Sequence, residues 1–536
     1  MRTLLVIPKY SLVKHKTYNY VFPLGLAYIS ASLKRAGYDV DCINLNHTEG
    51  NPLNALRDQL SMRTYDVVGT GSISINYHIT EAILNTVKSH PSRPKTILGG
   101  PIVTTAPETI FNALKPDIGV IGEGEETIVE LFRRNLSHDV AGIITKDGMT
   151  QPRKPPDNLD ALPFPDVVGL GYEERLENVN ASRGSISTVS DFPRSYVLIT
   201  SRSCPFQCTF CWHTGRYRQR SIDNVMEEIE SVVRKYRIDF LDFTDDCFGF
   251  DKQKLLDFCS RLKRFRDTLD WKLEAYVQLI VTIADDEVLS ALKSIGCHTI
   301  CFGFESYSPK VLKSMNKHIT PEQIDSALKK TLAHRMTVAG YFIFGDPAET
   351  LETARETIDY WKTNSKGQIG LDFVQPYPGS KLFQYCLDGG LIEDELDFIK
   401  HMNLRKHINM TSLTDKEFNK LHDEVLQLNQ TYFKNNVVAL RQVRTGKDVY
   451  SVTVRCPYCN TLVEYNNMYL FAYLGSNKYV WAVPVLCRNC FMKFRVTSRL
   501  FYHVYARYQP IASRILVPYI RMSDYYREHT MRQVDK

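Results

Sequence analysis

Two stretches of this chain alternate short apolar runs with helical periodicity, and that alternation restricts the fold to parallel sheets covered by helices. In the first, RTLLVIP, DVDCINL, DVVGTGS, KTILGG and DIGVIGEGE read as strands. Helical patterns fall over GLAYISASLKRAG, near residues 54–60 and over ITEAILNTVKSH. The order predicts a doubly wound, Rossmann-like sheet, in which ligands bind beyond the carboxyl ends of the strands. Gly69, Gly71, Gly99, Gly100, Gly122 and Gly124 fall at those ends. The second stretch begins at Ser195, with strands expected at YVLIT, FLDFTDD, LEAYVQ, TICFGFES, VAGYFIFG and IGLDFVQPYPG. Helices are expected near residues 222–236, 252–265, 286–294, 321–334 and 351–363. Six β/α units fall short of the eight of a closed barrel, so a partial, open-sided (β/α)6 barrel follows.

The predicted organisation is α/β throughout the first 400 residues: a nucleotide- or cofactor-type domain over 1–150, an irregular proline-rich connector over 151–190, and the barrel over 191–400. A helical segment (401–440), a small cysteine-bearing domain (441–498) and a basic, aromatic tail of two or three short helices (499–536) complete it. From Thr431 onward, 16 lysines and arginines face 5 acids, whereas the preceding residues carry 50 against 55. That asymmetry suits an anionic substrate or partner, or a solvated basic surface. The opening RTLLVIP has the look of a strand, with no secretory h-region, and no run reaches the ~18 apolar residues of a membrane span. A cytoplasmic location is expected. The thirteen cysteines then call for reduced thiols and metal sites, not a disulfide framework.

Seven of those cysteines stand in metal-like spacings. Cys204, Cys208 and Cys211, in SRSCPFQCTFCW, directly follow the first barrel strand. A 4Fe-4S cluster ordinarily takes four thiolates, so three would leave one iron open to a small molecule. His213 keeps a zinc site open as the alternative.

The spacing Cys-x3-Cys-x2-Cys, with Phe210 before the last cysteine, resembles the signature of the radical S-adenosylmethionine (radical SAM) superfamily. FTDDCF, GFESYSPKVLKSMNKHIT, GDPAETLET and PYPGSKLF, with FPLGLAYISASLKRAGYDV, LGGPIVT and IGEGEET upstream, are similar to blocks of the branch with an N-terminal cobalamin-binding domain. The resemblance covers roughly residues 1–390. It implies that S-adenosylmethionine chelates the open iron and is cleaved to a 5′-deoxyadenosyl radical, inside a cavity the protein shields. It further implies Cys204, Cys208 and Cys211 as cluster ligands and Phe210 beside the adenine. Asp245 and Asp246 would border the methionine amine, Glu305 and Ser306 its carboxylate or the ribose, and Gly345 the adenine. Gln278 stands about where relatives often place arginine, which leaves a charge contact missing or supplied elsewhere.

For cobalamin, the resemblance implies contacts from Pro23, Leu24 and Gly25, from Ser72 and Ser74, and from Gly99, Gly100, Gly122 and Glu123. These glycines could equally serve only tight turns. His47, in HTEG after the second strand, lacks the preceding Asp and the position of a cobalt-ligating histidine and is expected to be a loop residue.

Cys456, Cys459, Cys487 and Cys490 form two Cys-x2-Cys pairs separated by 27 residues. Such pairs suit a structural zinc ribbon, with an auxiliary iron–sulfur cluster as the rival. The function expected is a cobalamin-dependent radical SAM enzyme, a methyltransferase acting on carbon or phosphorus of a small, anionic substrate, with flavodoxin or ferredoxin as electron donor. The alternatives are a cyclase or oxidative rearrangement enzyme with bound cobalamin, and an iron–sulfur or zinc sensor that binds nucleic acid through its basic end. Contact of that end with nucleic acid or a membrane surface is not the favoured reading.

Overall fold

The computed structural model describes residues 1–9, 22–48, 50–173, 176, 194–402, 407–433, 435–446, 449–468 and 482–497. The expected helices of the basic tail lie outside the described residues.

The first sheet has strands β1 (Arg2–Ile7), β2 (Asp39–Asn44), β3 (Val67–Gly71), β4 (Lys95–Gly99), β5 (Ile118–Val120), β6 (Ile143–Thr145) and β7 (Gly148–Met149). Their order is β2-β1-β3-β4-β5-β6-β7. The first five run parallel and the last two antiparallel. This is the doubly wound arrangement, with a chain reversal between β1 and β3 where ligands bind. Both faces are covered, as all-apolar parallel strands require. Leu33, Ile128, Leu131 and Phe132 cover one face, and Leu53, Leu56, Ile79 and Ile83 the other. The β6–β7 hairpin was not foreseen: two short strands capping a parallel sheet leave no periodic signal.

The second sheet has β8 (Ser195–Leu198), followed by the short β9 (Ser201–Arg202) and β10 (Arg218–Gln219) pair, then β11 (Phe240–Phe243), β12 (Glu274–Gln278), β13 (Cys297–Glu305), β14 (Thr337–Phe344) and β15 (Gly370–Phe373). The six main strands lie in the order β15-β14-β13-β12-β11-β8, all parallel. The intervening helices are started by side-chain caps, as in Ser221 to Asn224 N (3.1 Å), Asp251 to Lys254 N (3.1 Å) and Asp285 to Val288 N (2.9 Å). Their apolar faces bury one side of the sheet in the largest core of the chain, which includes Val277, Ile300, Phe302, Phe342 and Phe344. The other face carries Phe240, Tyr276 and Cys301.

The last strands are β16 (Asn436–Val438), β17 (Arg441–Gly446), β18 (Val449–Arg455), β19 (Leu462–Met468), β20 (Ala482–Leu486) and β21 (Lys493–Thr497). They make two three-stranded sheets, β16-β21-β20 and β17-β18-β19, around their own apolar core. Among the described residues no helix is long and apolar enough to cross a membrane.

Candidate active site

The loop after β8 carries Cys204, Cys208 and Cys211, and its first residues are tied to the end of β11 by Asp245. One carboxylate oxygen accepts from Thr200 N (2.9 Å), Thr200 Oγ1 (2.9 Å), Ser201 Oγ (2.6 Å) and Ser201 N. The other oxygen is buried without a hydrogen-bond partner. Burial pushes this carboxyl up to about 6, against the pull of those donors. Further along, Thr209 N donates to Met315 O (3.0 Å), Leu382 N donates to Thr209 O (2.8 Å) and Asn316 Nδ2 donates to Gln207 O (2.8 Å). Phe210 packs on the apolar cluster of Val374, Leu382 and Phe383. Three separate elements therefore hold the cysteine loop.

The three thiols differ. A hydrogen bond with Cys247 draws Cys204 down to about 6, whereas burial pushes Cys208 up and Cys211 up to about 11. Among the described residues, the trio does not gather its sulfurs to the spacing of ligands around one ion. Thiolates on three separate irons need a wider spread. His213 donates and accepts elsewhere: Nδ1 is 2.8 Å from Ser203 Oγ and Nε2 3.0 Å from Phe206 O. With both ring nitrogens engaged in its own loop, it is not turned to the trio as a fourth ligand. The donor set fits a 4Fe-4S cluster with one open iron.

Glu305 ends β13 in the left-handed region, at φ 61°, and its Oε1 lies 3.0 Å from Lys317 Nζ. Burial works to lower the Lys317 ammonium, but Glu305 and the Cys208 thiol together hold it above its ordinary value. Lys317 thus places a cation beside the cysteines. Sequence reasoning missed it, although it lies in the quoted block SMNKHIT, because only the fold brings it back to the trio. Ser306 is buried and engaged with Thr357 Oγ1 (3.2 Å) and Ser308 N (3.1 Å). Gly345 has φ 98° at the end of β14. Asp246 is exposed, and Gln278 O accepts from Phe248 N (3.2 Å).

The glycines of the first domain separate into two kinds. Gly100, at φ 85°, has room for no Cβ: one would stand 2.7 Å from Ser72 O. It packs two backbones together, and Ser72 O accepts from Ile102 N (3.0 Å). At Gly25, Gly99 and Gly122 an added Cβ would meet nothing within 4 Å. Pro23 and Leu24 open the helix beside Gly25, while Ser72 and Ser74 are buried. These open glycines, Gly99 and Gly122 at carboxyl ends of strands and Gly25 in the first turn of the helix that follows β1, leave a space that fits a flat cofactor such as cobalamin. His47 lies in a short turn after β2, with Nε2 3.3 Å from Asn44 Nδ2.

Glu123 has a different occupation. Its carboxylate meets Arg202 Nη1 (2.7 Å) and Arg218, while Arg202 Nη2 reaches Glu125 Oε1 (2.6 Å). The Arg202 guanidinium also lies over the Tyr28 ring, 5.0 Å from its centroid. The side chains of Glu123, Glu125, Arg202 and Arg218 are all at most 15% exposed. This latch joins the loop after β5 to β9 and β10, two residues before Cys204, so the carboxyl edges of the two parallel sheets meet here.

In the C-terminal sheets the ligand atoms of Cys456, Cys459, Cys487 and Cys490 all lie within 4.8 Å of one another.

A B12 binding domain family model matches residues 10–132, and a Radical SAM superfamily model matches residues 198–360. The chain belongs to the radical SAM enzymes with a cobalamin-binding domain. This radical SAM enzyme is 29% identical over 441 residues to an uncharacterized methyltransferase of Pyrococcus horikoshii, covering 78% of this chain and 90% of that one. It is 26% identical over 405 residues to the anaerobic magnesium-protoporphyrin IX monomethyl ester cyclase of Rubrivivax gelatinosus, covering 72% and 70%. Among solved structures, the radical S-adenosylmethionine methyltransferase TsrM of Kitasatospora setae superposes with a TM-score of 0.58 at 18% identity, covering 73% of this chain and 77% of that chain. At that identity the likeness is one of fold.

Proposed function

We propose that this enzyme is a cobalamin-dependent methyltransferase acting on a small molecule. Bound in it, a 4Fe-4S cluster with S-adenosylmethionine supplies a 5′-deoxyadenosyl radical, and cobalamin supplies the methyl group. Cys204, Cys208 and Cys211 hold the cluster. Asp245 fixes the start of their loop and so acts as a positioning residue. Lys317, paired with Glu305, supplies the charge contact to the S-adenosylmethionine carboxylate that Gln278 cannot make. Ser306 and Gly345 shape the adjoining strand ends, Phe210 borders the adenine through its backbone, and Asp246, which accepts from the Ser203 backbone, meets the methionine amine. Pro23, Leu24, Gly25, Gly99 and Gly122 line the cobalamin, with Ser72, Ser74 and Gly100 setting the backbone behind it. Glu123 serves the latch between the domains. The bounds proposed for the domains are those expected from the sequence, except that the cysteine-bearing domain begins at Asn436, where β16 joins β21, and the helical segment ends before it. Electrons come from a flavodoxin or ferredoxin.

The observation that carries this reading is the latch: Arg202 brings the glycine-lined edge of one sheet and the cysteine loop of the other to a common side. The test is anaerobically reconstituted protein with cobalamin, S-adenosylmethionine, reductant and candidate substrates. Formation of 5′-deoxyadenosine, with the methyl group of labelled S-adenosylmethionine passing through methylcobalamin to product, is expected. Cobalamin that never carries the label overturns it. The similarity to a cyclase favours one second reading, an oxidative rearrangement, which gives 5′-deoxyadenosine with an unmethylated product.

A further inference from the structure

The four C-terminal cysteines sit in two turns built alike. Cys456 N donates to Thr461 O (2.9 Å) and Cys487 N to Met492 O (3.1 Å). Asn460 N donates to Cys456 O (3.0 Å) and Phe491 N to Cys487 O (2.9 Å). In each, a backbone N–H points at the first sulfur: Tyr458 N at Cys456 Sγ and Asn489 N at Cys487 Sγ, both at 3.4 Å. Across the turns, Cys456 and Cys490 Sγ are 3.7 Å apart and Cys459 and Cys487 Sγ 3.6 Å. A tetrahedral zinc with Zn–S bonds of about 2.3 Å sets its sulfurs about 3.8 Å apart. A four-iron cluster spreads its thiolates over separate metals.

The second turn exposes Arg488 and Asn489, while the residues just after it, Phe491 and Lys493, pack against the barrel. Asn460 and Phe491 hold the same left-handed position, at φ 63° and 57°. Asparagine tolerates that region, whereas a bulky aromatic there is an outlier that its surroundings must hold in place. The Phe491 ring stacks on His298, centroids 3.9 Å apart and planes 7° from parallel, and Phe491 O accepts from Thr337 Oγ1. Beside it, Gln368 Oε1 accepts from Lys493 N (2.8 Å), Gln368 Nε2 donates to Lys493 O (3.0 Å) and Lys493 Nζ donates to Gln368 O (3.0 Å). From the first turn, Tyr458 OH donates to Lys366 O (2.8 Å). His298, Thr337 and Gln368 are at or next to the amino ends of β13, β14 and β15, the end opposite the cysteine loop.

We propose that Cys456, Cys459, Cys487 and Cys490 bind one zinc ion, and that the zinc holds the second turn as a floor across the amino ends of β13, β14 and β15. The floor closes the barrel on the side away from the cluster. Its value as a shield for a carbon radical rests on the proposed function above, but the metal and the floor do not.

Full-length protein with Cys204, Cys208 and Cys211 all replaced by alanine cannot hold the first cluster. About one zinc per chain by elemental analysis is expected in it, lost on adding Cys487→Ser. Iron with sulfide at that site, or no metal, overturns the assignment. For the floor, hydrogen exchange is followed in reconstituted protein over residues 295–300, 335–340 and 366–371. Phe491→Ala is expected to keep zinc and raise exchange there roughly tenfold, leaving 204–211 unchanged, and Cys487→Ser to do so without zinc. Unchanged exchange in Phe491→Ala and in Gln368→Ala overturns the floor, including the case where Cys487→Ser fails to fold. Neither readout needs turnover, so a negative result here is distinct from failure of the methyltransferase reading.

Discussion

Replacing Asp245 with asparagine separates two things its carboxylate does. The four donors from Thr200 and Ser201 converge on one oxygen, and the other oxygen has no partner. An asparagine can present a carbonyl to those donors and put its NH2 where the unpaired oxygen was. What changes is charge. Burial lifts the carboxyl from 3.8 to about 6, so the folded apo protein binds a proton more tightly than the unfolded chain does. Folding stability therefore falls as pH rises from about 4 to about 6 and is level above that. At about 1.4 kcal/mol per pH unit the full cost at pH 8 is about 3 kcal/mol, of which roughly half has already developed at pH 5. The stability of Asp245→Asn relative to wild type is thus expected to improve by on the order of 1 kcal/mol between pH 5 and pH 8. Urea unfolding of the apo protein, followed through the fluorescence of Trp271 and Trp361 in the barrel, measures it. Asp245→Ala instead strands four buried donors, at a cost on the order of 4 kcal/mol, and is expected to lose most of its iron and sulfide. A stability difference indifferent to pH, or an asparagine variant as poor in iron as the alanine one, would refute the reasoning.

Other perturbations act on the same site. Glu123→Ala leaves Arg218 and part of Arg202 buried without their anion, which costs about 3–5 kcal/mol; hydrogen exchange is expected to rise in both the 121–125 and 201–219 segments. Lys317→Met, which removes the cation paired with Glu305, is expected to weaken S-adenosylmethionine binding about tenfold, or about 1.4 kcal/mol. Lys317→Arg is expected to retain most of it, with equilibrium dialysis as the check. Gly100→Ala forces a Cβ to 2.7 Å from Ser72 O at φ 85°. A loss of about 2–3 kcal/mol in thermal unfolding, with reduced cobalamin retention, is expected.

The six barrel strands and their five main helices were legible because period-two and period-3.6 patterns survive in any sequence that must bury one face. The helices Ile222–Tyr236 and Asp286–Ser294 match their expected bounds, each opened by a capping residue that the chain itself supplies. Cysteine spacing made both cysteine sets visible for a similar reason: within each set or pair the cysteines are neighbours in the chain. Lys317, the Glu123–Arg202 latch and the docking of Phe491 on His298 were not visible. Each depends on residues brought together from distant segments, and a lone Lys, Glu or Phe carries no local mark of its partner. Asp245 was singled out for the right place but for a ligand contact, whereas four of its bonds are to the protein's own loop. A strand-end aspartate looks the same in sequence whether it faces a ligand or a turn.

The loop of Cys204, Cys208 and Cys211 is gripped at Thr200–Arg202 from β11 and the first domain, and at Gln207–Thr209 from residues 315, 316 and 382. None of these grips passes through a metal. Loss of the cluster to air is therefore expected to leave behind a mould and not a slack chain, which iron, sulfide and a thiol reductant refill.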